Sequence, residues 1–172
     1  FSFNPQKGML EVWGEKLGQS IKTLYKIFAE TLLNLEKLPP ETADGTYNLQ
    51  KVMTQRLRFN LKRANTLRSL TLVEIQLVNR EDSRRYISIK SNRDEAALYR
   101  EFDERVPKEV RSQYLVDALR FKAVFDSPKI NGRSKRFSLK APDECTLGLD
   151  NDAEELKKVL ADSGLEFSKE NA

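Results

Sequence analysis

The sequence predicts an α+β fold, in which an N-terminal helical hairpin is followed by an antiparallel sheet of four to five strands packed against helices. Between residues 9 and 68, apolar residues recur every three or four positions, as they do along one side of a helix. The period then changes to two, as in a half-buried strand, and two pairs of such runs flank polar turns. With helical patterns between and after the runs, the element order is α-α-β-β-α-β-β-α.

The first predicted helix spans residues 9–38. Its apolar stripe is Leu10, Trp13, Leu17, Ile21, Leu24, Phe28, Leu32, Leu35 and Leu38. Pro39 and Pro40 end it, because proline lacks the backbone donor that a helix needs. A helix of this length would extend about 45 Å, which is longer than a small domain is wide. We therefore expect the stripe to pack either within this chain or in an oligomer or partner interface. Such an interface would use Leu17, Ile21, Leu24 and Phe28.

A second helix is predicted over residues 49–68, after a loop marked by Asp44-Gly45. Its apolar side is Leu49, Val52, Met53, Leu57, Leu61, Ala64 and Leu67. The short connection predicts that the two helices fold back antiparallel on each other. Residues 1–69 would then form an arm, and residues 70–172 a sheet domain with an acidic C-terminal helix, in one compact unit.

Two alternating runs on either side of the turn at residues 80–83 predict the first hairpin. Its core-facing positions are Val73, Ile75 and Leu77 before the turn and Ile87 and Ile89 after it. Asn92 predicts the N-cap of a helix over residues 93–105, because Glu95 stands three positions on, as in a capping box. Residues 107–115 predict a further turn or short helix, since proline favours a first helical position.

The second hairpin surrounds a turn that contains proline and glycine. Its core-facing positions are Leu119, Phe121, Ala123 and Phe125, then Phe137 and Leu139. Residues 146–149 predict a short fifth strand. Asp150 or Asn151 predicts the cap of a last helix over residues 152–163, which Gly164 ends.

The absence of histidine and the single cysteine exclude several kinds of site. Triads that need histidine, histidine-ligated zinc and haem cannot form within this chain. Cys145 stands beside acidic residues that disfavour its thiolate, so we expect an inert thiol. A lone cysteine is typical of a reducing compartment, which predicts a cytoplasmic protein. Neither standard glycine-rich phosphate loop occurs, and we expect no cofactor and no bound metal. The chain starts at Phe1 rather than Met, so we expect it to be part of a longer polypeptide.

Charge is segregated along the chain, although the net charge is only +4. The first basic island, residues 51–70, has six Lys and Arg and no acidic residue. The second basic island, residues 120–140, has seven basic residues and one Asp. Residues 141–172 carry three basic and nine acidic residues. Clustered cations on neighbouring strands repel each other, and this cost is easiest to explain when an anion binds there.

Strand alternation places one part of the second island on the open face of the sheet. We expect mainly backbone contacts to DNA or RNA, with Tyr86 stacking on a base and a basic second helix extending the sheet face into one groove. The predicted nucleic-acid-binding residues are Arg56, Arg58, Lys62, Arg63, Tyr86, Lys90, Arg120, Lys122, Arg133, Lys135, Arg136 and Lys140.

Three simpler or competing interpretations stand beside this one. The first island is also what the solvated side of an amphipathic helix looks like. The acidic residues from Asp150 onwards suit a helix start, where the dipole favours negative charge, or else dock on the basic surface and compete with nucleic acid. A metal-dependent nuclease would use Glu74, Asp126 and Lys90, yet Glu74 is more simply a solvent-facing strand residue and Asp126 a turn residue. We expect a binding protein rather than an enzyme.

Overall fold

The computed structural model describes residues 2–4, 9–12, 20–32, 34, 46–91, 94–126, 133–148 and 150–166. The chain divides into two compact units, one of residues 1–43 with 169–172 and one of residues 44–168. None of the helices within these ranges is long and apolar enough to cross a membrane.

In the first unit, β1 (Ser2–Asn4) and β2 (Met9–Glu11) pair antiparallel, and α1 spans Ser20–Leu32. The N-terminal helical hairpin predicted from the sequence is therefore not confirmed. Residues 9–11 form a strand because their backbone groups pair with those of residues 2–4, a partner that helical periodicity does not reveal. Residues 13–19 and 35–45, which include Leu17 and the proline stop, lie outside the described residues.

The helix predicted over residues 49–68 is wrong. Only α2 (Lys51–Thr54) and a 3₁₀ turn (Leu61–Arg63) form there, and residues 56–60 have no regular secondary structure. Leu57 is buried and Phe59 packs on the core, while the arginines on either side of Leu57 are exposed. Exposed and buried side chains thus alternate with a period of two along Arg-Leu-Arg-Phe, whereas the helical prediction depends on the four-residue spacing of Leu57 and Leu61.

The second unit contains the antiparallel sheet that the sequence predicts. Its strands are β3 (Leu67–Asn79), β4 (Tyr86–Lys90), β5 (Tyr114–Phe125), β6 (Arg133–Lys140) and β7 (Glu144–Cys145). They lie in the order β4-β3-β5-β6-β7, and every neighbouring pair is antiparallel. The α+β class is confirmed. The fifth strand lies at residues 144–145 instead of 146–149.

Two helices and a 3₁₀ segment (Lys108–Gln113) complete this unit. Asp94 caps α3 (Glu95–Arg105), where its carboxylate accepts a hydrogen bond from the backbone of Ala97 at 2.5 Å, so the cap predicted at Asn92 is displaced by two residues. Asp150 caps α4 (Asn151–Asp162) in the same way, and Gly164 adopts φ 70° just beyond the helix, as predicted.

The core lies between one face of the sheet and the helices. Buried side chains of β3, β5 and β6 meet those of α2, α3 and α4 in a single cluster. Members from the sheet and from α3 and α4 include Leu72, Ile75, Phe121, Leu139, Leu98, Phe102, Leu156 and Leu160. The opposite face of the sheet, called the open face below, carries the polar members of each strand.

A register shift in β3 decides which side chains reach the open face. The pairing passes from Leu72 opposite Phe121 to Glu74 opposite Arg120, which leaves Val73 as an extra residue. Because of this irregularity, Leu72 and Ile75 both point into the core although they are three positions apart, an offset that regular alternation would place on opposite faces. Glu74 therefore lies on the open face, and Val73 is not the core residue that simple alternation predicts.

Candidate functional site

Among the residues that the structure describes, five cationic side chains lie on the open face of the sheet. Phe121 and Ala123 are buried in the core, whereas Arg120 and Lys122 between and beside them on β5 are exposed on the other side. The same alternation along β6 and β4 completes the set. The cationic residues of the open face are Lys90, Arg120, Lys122, Arg136 and Lys140. Their outward placement is as predicted.

Glu74 lies at the centre of this face and is only 3% exposed. One carboxylate oxygen of Glu74 accepts a bond from Arg120 at 2.7 Å, and the other lies 3.2 Å from Lys90 Nζ. Gln76 and Ser88 also donate to the carboxylate, at 2.6 and 2.9 Å. The interpretation of Glu74 as a solvent-facing residue is wrong, because long side chains from the neighbouring strands cover it.

These partners keep Glu74 ionised. Burial by itself raises the pKa of Glu74, but hydrogen bonds from Gln76, Ser88 and Lys90, together with the charge of Arg120, bring that pKa below its ordinary value. The carboxylate in turn holds Arg120 and Lys90 in place on the sheet. It also neutralises part of their charge.

Lys122 and Arg136 are a second pair of cations on the open face. They stand directly opposite each other on β5 and β6, and both are exposed. Neither makes an ion pair within the part of the chain that the structure describes. Thr71, which contributes no charge, is the partner of Lys122 on β3. Two adjacent cations without a carboxylate make a site that suits a phosphate.

A shallow pocket of about 110 Å³ adjoins this pair. It lies over Glu74 and Ala118 and is bordered by Arg120, Ser138 and Lys140. Lys140 lies 4.0 Å from Glu144, a separation at which an exposed pair contributes little. The pocket thus combines two cations with two carboxylates, and it offers hydroxyl groups rather than additional positive charge.

Tyr86 projects from the start of β4 on the open face, four residues along the strand from Lys90. Its side chain is 76% exposed, and its strand partner is Val78, on the open face. An exposed aromatic ring on a cationic sheet provides a stacking surface for an unpaired base. The structure therefore places Tyr86 where the sequence predicts it.

Arg133 and Lys135 lie on the other side of the sheet from this set. They are an even number of positions from Phe137, so their side chains lie on the same side of β6 as that core residue. Both form ion pairs with acidic residues at the start of α4. Arg133 binds Asp152 at 2.6 Å and Lys135 binds both oxygens of Asp150 at 2.8 Å. The hydrogen bond from Lys135, with that from the backbone of Ala153, lowers the pKa of Asp150. The acidic segment thus contacts the second island, but away from the open face.

The acidic helix is also part of the core. Ala153, Leu156, Val159 and Leu160 of α4 are buried. Glu155 accepts bonds from the backbone N–H groups of Thr66 and Leu67 at 2.9 and 3.1 Å, and these bonds lower its pKa although burial raises it. Removing residues 150–172 would expose the sheet, so such a deletion cannot test competition with an intact fold.

The first basic island lies on the helical side of the sheet. The rings of Phe59 and Phe121 are nearly perpendicular, with 5.9 Å between their centroids, and Phe121 points into the core. Arg56, Arg58 and Lys62 are exposed on that side, and the side chain of Arg63 lies outside the described residues. The expectation that the first island extends the open face into one continuous groove is wrong, since Arg56, Arg58 and Lys62 lie on the other side of the sheet from the open face.

The residues of the nuclease alternative are not brought together as a metal site. Glu74 is surrounded by donors, and Lys90 is one of them. Asp126 follows the end of β5 and pairs with Arg68 at 3.2 Å. Across the described ranges, no group of three or more acidic or cysteine side chains is placed to hold a metal ion.

The helix α1 presents two large apolar side chains to solvent, of which Leu24 belongs to the predicted apolar stripe and Ile27 does not. Leu24 is 38% and Ile27 is 52% exposed. Phe28, by contrast, is buried, so it is not available to the predicted oligomer or partner interface. Leu17 and the side chain of Ile21 lie outside the described residues.

Comparison with protein families, with curated proteins and with solved structures finds no match to this chain. Its functional interpretation therefore depends on the geometry of its own residues.

Proposed function

We propose that this chain binds nucleic acid through the open face of its sheet, mainly by contacts to the phosphate backbone. The observation that carries this proposal is the opposed pair Lys122 and Arg136, which is exposed and without a carboxylate partner among the described residues. Like charges placed opposite each other destabilise a sheet, and a bound phosphate removes that repulsion. Phosphate backbones are the commonest large anions in cells.

The other residues of the open face have different roles in this proposal, which follow from their contacts and exposure. Arg120 and Lys90 are fixed by Glu74 and present their remaining donors at defined positions. Tyr86 supplies a ring on which a base stacks. Such a surface reads the shape and charge of a strand, and we expect little sequence preference. An intracellular location and the reducing cytoplasm agree with a single cysteine and with this ligand.

The test is fluorescence anisotropy with labelled single-stranded and double-stranded DNA and RNA. The double variant Lys122→Thr/Arg136→Thr keeps residues that favour strands and removes both charges. The matched control, Arg100→Ser/Lys108→Ser, removes two exposed cations on other elements that make no ion pair among the described residues. We expect the sheet variant to lose affinity for at least one of the four nucleic acids, and the control to retain it. Equal affinity of both variants would refute the proposal.

A second candidate function is protein interaction through α1, supported by the exposure of Leu24 and Ile27. Two apolar side chains one turn apart on a helix make a small hydrophobic patch. Light scattering over a range of protein concentrations, with and without Leu24→Asp, tests this candidate. A mass that rises with concentration and falls to the monomer value in the variant supports it, and a monomer at all concentrations counts against it.

A further inference from the structure

The second unit has positively charged surfaces on both sides of its sheet. Arg120 and Lys122 leave β5 towards the open face, while Phe121 between them points into the core. Phe59 packs edge-on against Phe121, so the segment at residues 56–60 crosses the helical side. The two surfaces are therefore separated by the sheet and by the side chains that cover it.

The helical side contains a cleft with an excess of positive charge. It has a volume of about 520 Å³, within the range of clefts that hold ligands. Three cations and one carboxylate border it, together with Gln55 and Ser163. The charged residues are Lys51, Arg56, Arg58 and Asp162.

The cations of this cleft differ in how firmly they are held. Lys51 Nζ donates to the backbone oxygen of Ser163 at 2.5 Å, which fixes it at one wall. Arg56 lies over the Tyr99 ring at 5.4 Å and 3.9 Å from Asp103, yet its side chain is 64% exposed. Arg58 is exposed and has no ion pair within the ranges that the structure describes. The cleft thus offers an ordered lysine beside two accessible guanidinium groups, which suit phosphate oxygens.

We propose that this cleft binds a second phosphate-backbone segment, so that one chain bridges two nucleic-acid segments on opposite sides of its sheet. The inference depends on the proposed function of the open face and extends it to a second site. A short duplex does not reach both surfaces, because it is far shorter than the persistence length of about 150 base pairs and does not bend around the protein. Two surfaces of this kind hold two duplexes together.

The experiment uses the full chain and two short blunt DNA duplexes, one labelled with an energy-transfer donor and the other with an acceptor. We expect energy transfer when the protein is added at a concentration comparable to the duplexes. Arg58→Ser and Arg56→Gln/Arg58→Ser should reduce the transfer to the value of the protein-free mixture, while the anisotropy of a single labelled duplex still shows binding. Lys108→Ser, which removes an exposed cation elsewhere, should leave the transfer unchanged. Arg56 contacts Tyr99, so its replacement could affect folding. The single Arg58 variant leaves that contact in place.

Each failure has a distinct signature. Binding by anisotropy without energy transfer overturns the bridging inference and leaves the proposed function intact. The absence of binding to the duplexes overturns the bridging inference, and the proposed function itself is overturned when none of the four nucleic acids of the anisotropy test binds. Transfer that survives both arginine variants and rises with protein concentration shows bridging by self-associated chains, and this result also overturns the inference.

Discussion

Lys122 and Arg136 face each other across β5 and β6, in the same sheet in which Glu74 binds both Arg120 and Lys90. Glu74 thus matches the charges of Arg120 and Lys90, whereas Lys122 and Arg136 have no carboxylate partner among the described residues. This contrast distinguishes cations that pair with a carboxylate from cations that do so with none of the described residues.

The opposed pair should reduce stability in the absence of ligand. Replacing both residues by threonine removes the repulsion and keeps β propensity, so we expect the free energy of unfolding to rise by about 0.2–1 kcal/mol at low salt. Urea unfolding measures this change. The gain should shrink at high salt, because screening weakens the same repulsion in the native protein. A variant less stable than the native chain at low salt would contradict the interpretation that the two charges repel each other and lower stability.

Glu74→Gln should destabilise the sheet. The amide keeps the shape of the side chain but loses the charge that binds Arg120 and Lys90, and its NH₂ group meets donors. The side chains of Arg120 and Lys90 are about half exposed, so water can solvate them when the charge of Glu74 is lost. We therefore expect the free energy of unfolding to fall by about 1–3 kcal/mol, which is less than the loss expected for a fully buried ion pair. Glu144→Gln is the matched control on an exposed carboxylate, and it should change the urea midpoint little.

Stability should fall in acid with a contribution from Glu74. Its pKa is lower in the folded protein than in the unfolded chain, as are those of Asp150 and Glu155. Stability from such groups is complete above the unfolded pKa values, about 4, and is lost as the pH falls through the folded values. Glu95, whose pKa burial raises, acts in the opposite direction. Urea unfolding from about pH 6 to about pH 3 should show a shallower acid decline in Glu74→Gln than in the native chain. Identical declines would contradict the assignment.

Tyr99 should contribute to the loss of folding stability at alkaline pH. Its hydroxyl oxygen accepts a bond from the backbone N–H of Leu57 at 2.8 Å, and burial raises its pKa to about 12. The stability from this group is complete below the unfolded pKa of about 10 and is lost as the pH rises towards the folded value. Tyr99→Phe leaves the Leu57 N–H without its acceptor, so we expect a loss of about 1–3 kcal/mol near neutral pH. Its alkaline decline should also be smaller, and unfolding by urea at increasing pH measures both effects.

The sequence predicts the sheet well because its strands are amphipathic. Phe121 and Ala123 alternate with Arg120 and Lys122, and a single side of such a strand can be buried. The same parity rule, applied to Lys135 and Phe137, would have placed Lys135 on the covered side.

Other features could not be deduced from local patterns. Leu57 and Leu61 satisfy a helical period, while Leu57 and Phe59 satisfy a period of two, and only packing on Phe121 selects the second. The burial of Glu74 depends on Arg120, Ser88 and Lys90, which lie on other strands. The extra residue at Val73 likewise arises from pairing with β5 and leaves no local signal.

The salt dependence of nucleic-acid binding tests the central claim most directly. For each phosphate that a cation neutralises, the slope of log affinity against log salt falls by about 0.9 on duplex DNA and about 0.7 on single strands. We predict that Lys122→Thr/Arg136→Thr has a slope shallower than the native chain by about two such increments. Arg100→Ser/Lys108→Ser should keep the native slope. The claim would be contradicted by equal slopes in all three proteins, or by the absence of binding at low salt.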